Sequence, residues 1–255
     1  MNKKTLVLIL ALTFIVGIFN FALAEESVEE QYFKQGLEFI QQEDYLKAVS
    51  CFTKVLELNP TSIDAYYYRG FAYFGLQRHE EAIVDYTKAI EINPENKDIA
   101  DKYFYRAYSY QQLDKLQEAI NDYKKVTEIN PQNDDAFYYL GVVQQDLGNS
   151  EEAILNLTKA IEINSQSFDA YYYRGLIYYS QDKLVDAIAD FTKAIEADPK
   201  LPEAYYNRAE IYQSQKQYKE AIADFTKVIE IIPNSPDAYN KRSFCYAALG
   251  NMDSS

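Results

Sequence analysis

Arg69, Arg106, Arg174 and Arg208 each stand sixteen residues before an aspartate: Asp85, Asp122, Asp190 and Asp224. A recurrent Arg–Asp couple can do two kinds of chemistry. The carboxylate can move a proton beside a guanidinium that stabilises an anion, or the two charges can neutralise each other inside a fold. Where the arginine is missing, at Gln35 and Leu140, the aspartate is missing too, and Cys51 and Asn156 occupy its place. Presence and absence match in all six copies. A buried charge survives only when paired, and removing one partner costs about 3–5 kcal/mol when desolvation is substantial. The pattern is that of structural ion pairs joining two helices, and a catalytic reading is poor.

The rest of the inventory offers little catalysis. One His and two distant Cys cannot assemble a His/Cys zinc site or a disulfide framework. There is no Gly-rich phosphate loop, nucleophile elbow or metal-ligand cluster, so neither cofactor nor metal is expected, and the chain does not read as an enzyme. A formal charge of -14, from 25 Lys+Arg against 39 Asp+Glu, argues against nucleic acid. With 48% apolar and 15% aromatic residues the chain can still bury enough surface to fold. His79, within Arg78-His79-Glu80-Glu81, is expected in solvent, and Cys245 is expected as a small buried residue.

What positions the charged couples is a repeat. The segment Asp64 to Pro94 returns almost intact at Asp169 to Pro199, and Pro60, Pro94, Pro131, Ser165, Pro199 and Pro233 are spaced by 34 residues, except for one step of 37. The units are 29–62, 63–96, 100–133, 134–167, 168–201 and 202–235, with a partial unit at 236–255, preceded by a short lead-in at 25–28. Apolar residues recur at helical steps twice per unit, as in Tyr66, Gly70 and Tyr73 and then Ala82, Tyr86, Ala89 and Ile90. Ser62, Asn133, Ser167 and Ser235 can cap helix starts, and Pro202 and Pro236 suit the first helical position. An acid follows in each first turn: Glu30, Asp64, Asp101, Asp135, Asp169, Glu203 and Asp237. The expectation is an all-α chain of paired helices. The extra Lys97, Asp98 and Ile99 should lengthen the first helix of the third unit by about a turn, and the last helix should end at Leu249, with Gly250-Asn251 opening a turn.

A 34-residue period with these columns resembles the tetratricopeptide-repeat family. The family's large-residue column reads Tyr32, Tyr66, Tyr103, Phe137, Tyr171, Tyr205 and Tyr239, and its small column Gly36, Gly70, Ala107, Gly141, Gly175, Ala209 and Ser243. Ala82, Tyr86 and Pro94 and their equivalents complete the match. The resemblance implies an α-solenoid, a right-handed superhelix of antiparallel helix pairs, whose first helices line a concave side. Phe33, Tyr67, Phe71, Phe74, Phe104, Tyr108, Tyr138, Tyr172, Tyr179 and Tyr206 then form a candidate peptide groove, aromatic and rimmed by the first-turn acids. Relatives that grip chaperone carboxyl termini use Lys, Arg and Asn there, so carboxylate recognition is not expected. The partner is expected to be a protein or peptide, with a bias toward cationic ones.

Met1 to Ala24 reads as a secretory signal peptide: Lys3 and Lys4, an apolar run from Leu6 to Phe21, then Ala22-Leu23-Ala24 before a polar chain. Cleavage after Ala24 and a periplasmic, envelope or secreted location are expected. The alternative is an uncleaved anchor that holds the chain at the membrane. The expected function is a non-catalytic exported scaffold for protein–protein interaction. The alternative is an envelope assembly component that uses its outer faces or its open end, with no peptide in the groove.

Overall fold

The computed structural model describes residues 27–95 and 98–253, so the leader and Lys97 lie outside the described residues. The chain forms two compact units, Met1–Pro94 and Glu95–Ser255. In the first, α1 (Val28–Gln41) pairs with α2 (Tyr45–Leu58), and α3 (Ile63–Gly75) with α4 (His79–Ile92). In the second, α5 (Ile99–Gln112) pairs with α6 (Leu116–Ile129), α7 (Asp134–Asp146) with α8 (Ser150–Ile163), α9 (Phe168–Ser180) with α10 (Leu184–Ala197), and α11 (Pro202–Ser214) with α12 (Tyr218–Ile231). The lone helix α13 (Pro236–Asp253) packs on α12. Partners run antiparallel, and no strand occurs among the described residues.

Local chemistry starts the first helices. Ser62, Asn133 and Ser167 accept hydrogen bonds from the amides of Ala65, Ala136 and Ala170, and Pro202 opens α11. Ser27 and Glu30 form a reciprocal capping box on α1. Each second helix then brings an alanine and a ring or leucine against the small column of the first. Ala187 and Phe191 are fully buried, and a Cβ built on Gly175 would lie 2.9 Å from the Phe191 ring. Burying one such side chain contributes about 1.5–3 kcal/mol, and the small residue is what allows the approach.

The hairpins share a turn that the sequence conceals. Glu43, Gln77, Asp114, Asp182 and Lys216 all sit in the left-handed region at φ 57° to 61°, and Gly148 at 84°. In α3 the Gln77 amide donates to the Phe74 carbonyl and the Arg78 amide to the Tyr73 carbonyl, both at 2.9 Å. This is a Schellman motif, which satisfies the last carbonyls of the helix. Non-glycine residues there cost about 1–2 kcal/mol each, offset by the packing of the helix that follows.

Three expectations are corrected. Helix α13 continues through Gly250 to Asp253. Gly250 occupies the column of Gln77, but here the chain passes through that position in helical conformation. The insert adds only Ile99 to α5, which is 14 residues long against 13 in α7, because buried Ile99 anchors the start and Asp98 stays outside it as the N-cap. His79 is not in solvent: it is half-buried, with its ring 5.7 Å from that of Phe74.

Candidate functional site: the first-helix face

The four Arg–Asp couples are bidentate. The arginine Nε donates to Oδ2 and Nη2 to Oδ1 at 2.7 and 2.8 Å for Arg69–Asp85, and 2.7 and 2.8 Å for Arg106–Asp122. The distances are 2.8 and 2.8 Å for Arg174–Asp190 and 2.8 and 2.9 Å for Arg208–Asp224. A third nitrogen, Nη1, donates from Arg69, Arg174 and Arg208 to Thr53, Thr158 and Thr192 on the second helix of the preceding pair. Each guanidinium also lies within 5.3 to 5.8 Å of a large-column ring, Tyr66, Tyr103, Tyr171 or Tyr205. Burial pushes the Asp85 carboxyl up despite the opposing pull of Arg69, while hydrogen bonding to Asp85 holds the Arg69 guanidinium above its usual range. These charges are fully engaged in holding helices together.

The fourth unit, one of the two that lack the couple, solves the same problem without charge. Leu140 is buried where the arginine would be, and Asn156 Nδ2 donates to Gln144 Oε1 at 2.7 Å. Cys51 and Cys245 are buried free thiols, both pushed up by burial.

All ten groove candidates are half-buried, so each ring spends one side on packing and presents the other. In the first unit Phe33 meets Phe52 and Tyr68 edge-on at 5.6 and 5.7 Å, Tyr67 touches Tyr68 and Tyr86, and Phe71 stacks near Phe74. In the second unit the rings run on continuously: Phe104 and Tyr108 both meet Tyr139, Tyr139 meets Tyr138 at 4.9 Å, Tyr138 meets Tyr173, and Tyr173 meets Tyr172. Tyr206 packs on Phe225, and its hydroxyl donates to Asp237. Tyr179 stands apart from the run, beside the Lys241–Glu210 ion pair.

The linking column is Tyr68, Tyr139, Tyr173 and Asn207, none of which sequence reasoning singled out. Each reaches the neighbouring repeat, and Asn207 does so by donating to the Tyr172 hydroxyl at 3.1 Å. Their common spacing of 34 residues, from Tyr139 onward, was the available signal.

Acids crowd one edge of this run. Asp135 is pushed up by burial and by Asp134, and Asp169 by burial, Asp198 and Asp135. Tyr139 is pushed up by burial and then by neighbours that include both carboxylates. A depression of about 310 Å³ opens between Tyr172, Glu203, Tyr206, Asn207 and Ile232. Among the described residues no group of His, Cys, Asp and Glu could hold a metal ion, and no helix is long and apolar enough to cross a membrane.

Comparison with known proteins follows the same geometry. The family model described as Tetratricopeptide repeat matches residues 63–96 and 202–235, and that described as TPR repeat matches 36–77, 107–148, 146–182 and 175–216, more than half of the chain. No curated protein sequence matches. Among solved structures, YrrB, a TPR protein with an unusual peptide-binding site, is 26% identical over 75% of this chain and 97% of its own, with a TM-score of 0.61. MamA is 25% identical over 65% of this chain and 95% of its own, also at 0.61. A tetratricopeptide repeat protein from Parabacteroides merdae is 21% identical over 88% of both chains, at 0.67, a likeness of fold. The chain therefore belongs to the tetratricopeptide-repeat family, whose members serve in general as non-catalytic scaffolds for protein–protein interaction.

Proposed function

We propose that the chain is an exported scaffold that holds a cationic polypeptide segment on its aromatic, acid-edged first-helix face, in the periplasm, the cell envelope or outside the cell. The observation that carries the reading is electrostatic. Exposed Asp135 and half-buried Asp169 stand beside a run of tyrosines, and the charges that act on them are carboxylates, with no cation among them. A Lys or Arg side chain entering there gains two carboxylates and the faces of the rings at once. Tyrosines supply large, stiff contact area at modest entropy cost. The peptide-binding site of YrrB supports a peptide as the ligand type, and the signal-like run at residues 1–24 supports export.

Fluorescence anisotropy tests the groove. Labelled twelve-residue peptides of matched length, basic or acidic, are titrated into the chain and into the Asp135→Asn/Asp169→Asn variant. The basic peptides should bind, with affinity falling about tenfold in the variant and falling again with added salt. Equal retention of acidic and basic peptides, or an unchanged affinity in the variant, would refute the reading. Export is checked separately, by fractionation and by the amino-terminal residue of the mature chain.

A further inference from the structure

The sixth unit departs from the repeat at three places, and all three line one depression. The linking column holds a ring in the second to fifth units, at Tyr68, Tyr105, Tyr139 and Tyr173, and an amide in the sixth, at Asn207. In the first and fourth units an asparagine just past the second helix clasps an acid at the start of the first: Asn59 donates to Glu29 at 2.9 Å and Asn164 to Asp134 at 2.7 Å. The corresponding residues of the sixth unit are Ile232 and Pro202. A ring is thus replaced by a shorter side chain, and a polar clasp by two apolar groups. The depression of about 310 Å³ opens there, with Pro202, Val228 and Ile232 as its apolar lining and Tyr172 and Tyr206 as its rings.

The polar groups at this depression are short of donors. Asn207 Nδ2 donates to the Tyr172 hydroxyl at 3.1 Å, and Asn207 Oδ1 accepts no hydrogen bond among the described residues. Glu203, also in the lining, is exposed and forms no ion pair among the described residues. The Tyr206 hydroxyl donates to Asp237 and is pushed up by burial, by that bond and by the charge of Glu210. Glu210 is itself neutralised by Lys241 at 2.7 Å, so the net charge is negative and comes from Glu203 and Asp237.

The size is at the bottom of the range for small-molecule sites, about 300–1,000 Å³, and suits one long side chain. Its occupant must be apolar along the stem, flat enough to lie on a tyrosine ring and cationic at the tip. Glu203 and Asn207 stand four residues apart on α11, so they are neighbours on one face, about 5–6 Å apart at Cβ. A guanidinium presents five donors in a plane and can serve both acceptors, whereas an ammonium is a single point.

We propose that this depression is an arginine-selective subsite. It takes one arginine of the bound polypeptide, with the stem on Pro202 and Ile232 and the guanidinium on Asn207 Oδ1 and the Glu203 carboxylate. As a peptide subsite it rests on the groove reading above, and as a guanidinium pocket it is tested without a peptide.

The probe is N-acetyl-arginine methylamide, titrated into the isotope-labelled chain and followed by nuclear magnetic resonance at the Asn207 side-chain amide. That signal should shift saturably, and the lysine and citrulline analogues should bind about tenfold more weakly. Glu203→Gln should weaken the arginine probe about fivefold. Asn207→Tyr restores the ring of the four preceding units, leaves the fold in place, and should abolish line broadening of the probe. In twelve-residue basic peptides, exchange of one lysine for arginine should raise affinity about tenfold in the parent and not in Asn207→Tyr. No saturable shift, equal affinity for the lysine analogue, or binding unchanged in both variants overturns the proposal. An arginine probe that binds as stated, with basic peptides indifferent to Asp135→Asn/Asp169→Asn, removes the groove reading and upholds the subsite. Basic peptides that bind through Asp135 and Asp169 with no gain from arginine uphold the groove reading and overturn the subsite.

Discussion

Asp190→Ala should destabilise the chain far more in the parent than in an Arg174→Ala background. The Arg174 side chain is 16% exposed and that of Asp190 is 7% exposed, and two hydrogen bonds of 2.8 Å join them. Removing either partner alone strands a desolvated charge, at a cost of about 3–5 kcal/mol. Arg174→Ala also removes the Nη1 bond to Thr158, a further loss of about 1 kcal/mol. Once the arginine is gone, removing the stranded carboxylate should cost about 1 kcal/mol or less, so the coupling energy is about 2–4 kcal/mol. The assay is a double-mutant cycle by urea denaturation. It is read by circular dichroism and by hydrogen exchange of the α9 and α10 amides, since repeat arrays need not unfold in one step. Single-variant losses that add to the double-variant loss within about 0.5 kcal/mol would refute direct coupling. The fourth unit supplies the internal control. Arg174→Leu, Tyr178→Gln and Asp190→Asn together rebuild its Leu140, Gln144 and Asn156 arrangement and should recover most of the loss.

Two further outcomes are expected. Gly148→Ala should lower stability by about 1 kcal/mol through backbone strain alone, since an added Cβ there meets no atom within 4 Å at φ 84°; Asp114→Gly should gain a similar amount at φ 57°, and urea midpoints that do not move would remove the left-handed turn from the account. Asp135 and Asp169 lie above their ordinary value of 3.8, so their contribution to stability is intact below that pH and fades as the pH rises through the raised folded values. The Asp135→Asn/Asp169→Asn variant should therefore melt higher than the parent near pH 7 and alongside it near about pH 3. A lower melting temperature near pH 7 would mean that the dipoles of α7 and α9, which favour the charged form, dominate instead.

What could be read from the sequence was whatever is decided locally or repeated faithfully. Ser62, Asn133 and Ser167 cap helices because a hydroxyl or amide oxygen three residues before an amide suffices, wherever the rest of the chain goes. The left-handed turn escaped notice because its usual marker, glycine, occupies it only at Gly148. Gly250 misled in the opposite direction: glycine permits that turn but does not impose it. Thr158 and Thr192 belong to a recurrent Thr-Lys step, as at Thr53-Lys54 and Thr87-Lys88, whose lysines form exposed pairs with a glutamate three residues on, such as Glu57 and Glu91. That Thr158 and Thr192 serve the arginines of the next hairpin depends on how successive pairs stack. The groove candidates start from the position beside the large-residue column, which found the outer rings and missed Tyr139 and Tyr173, one position further on, the residues that join one repeat's rings to the next.

Each arginine draws its aspartate from its own hairpin, sixteen residues on, and only the weaker threonine contact crosses to the preceding one. The buried couple is thus complete inside each of the four modules that carry it. Genetic excision or duplication of a whole 34-residue block would leave no orphaned carboxylate, so the array can change length over generations without a compensating substitution elsewhere.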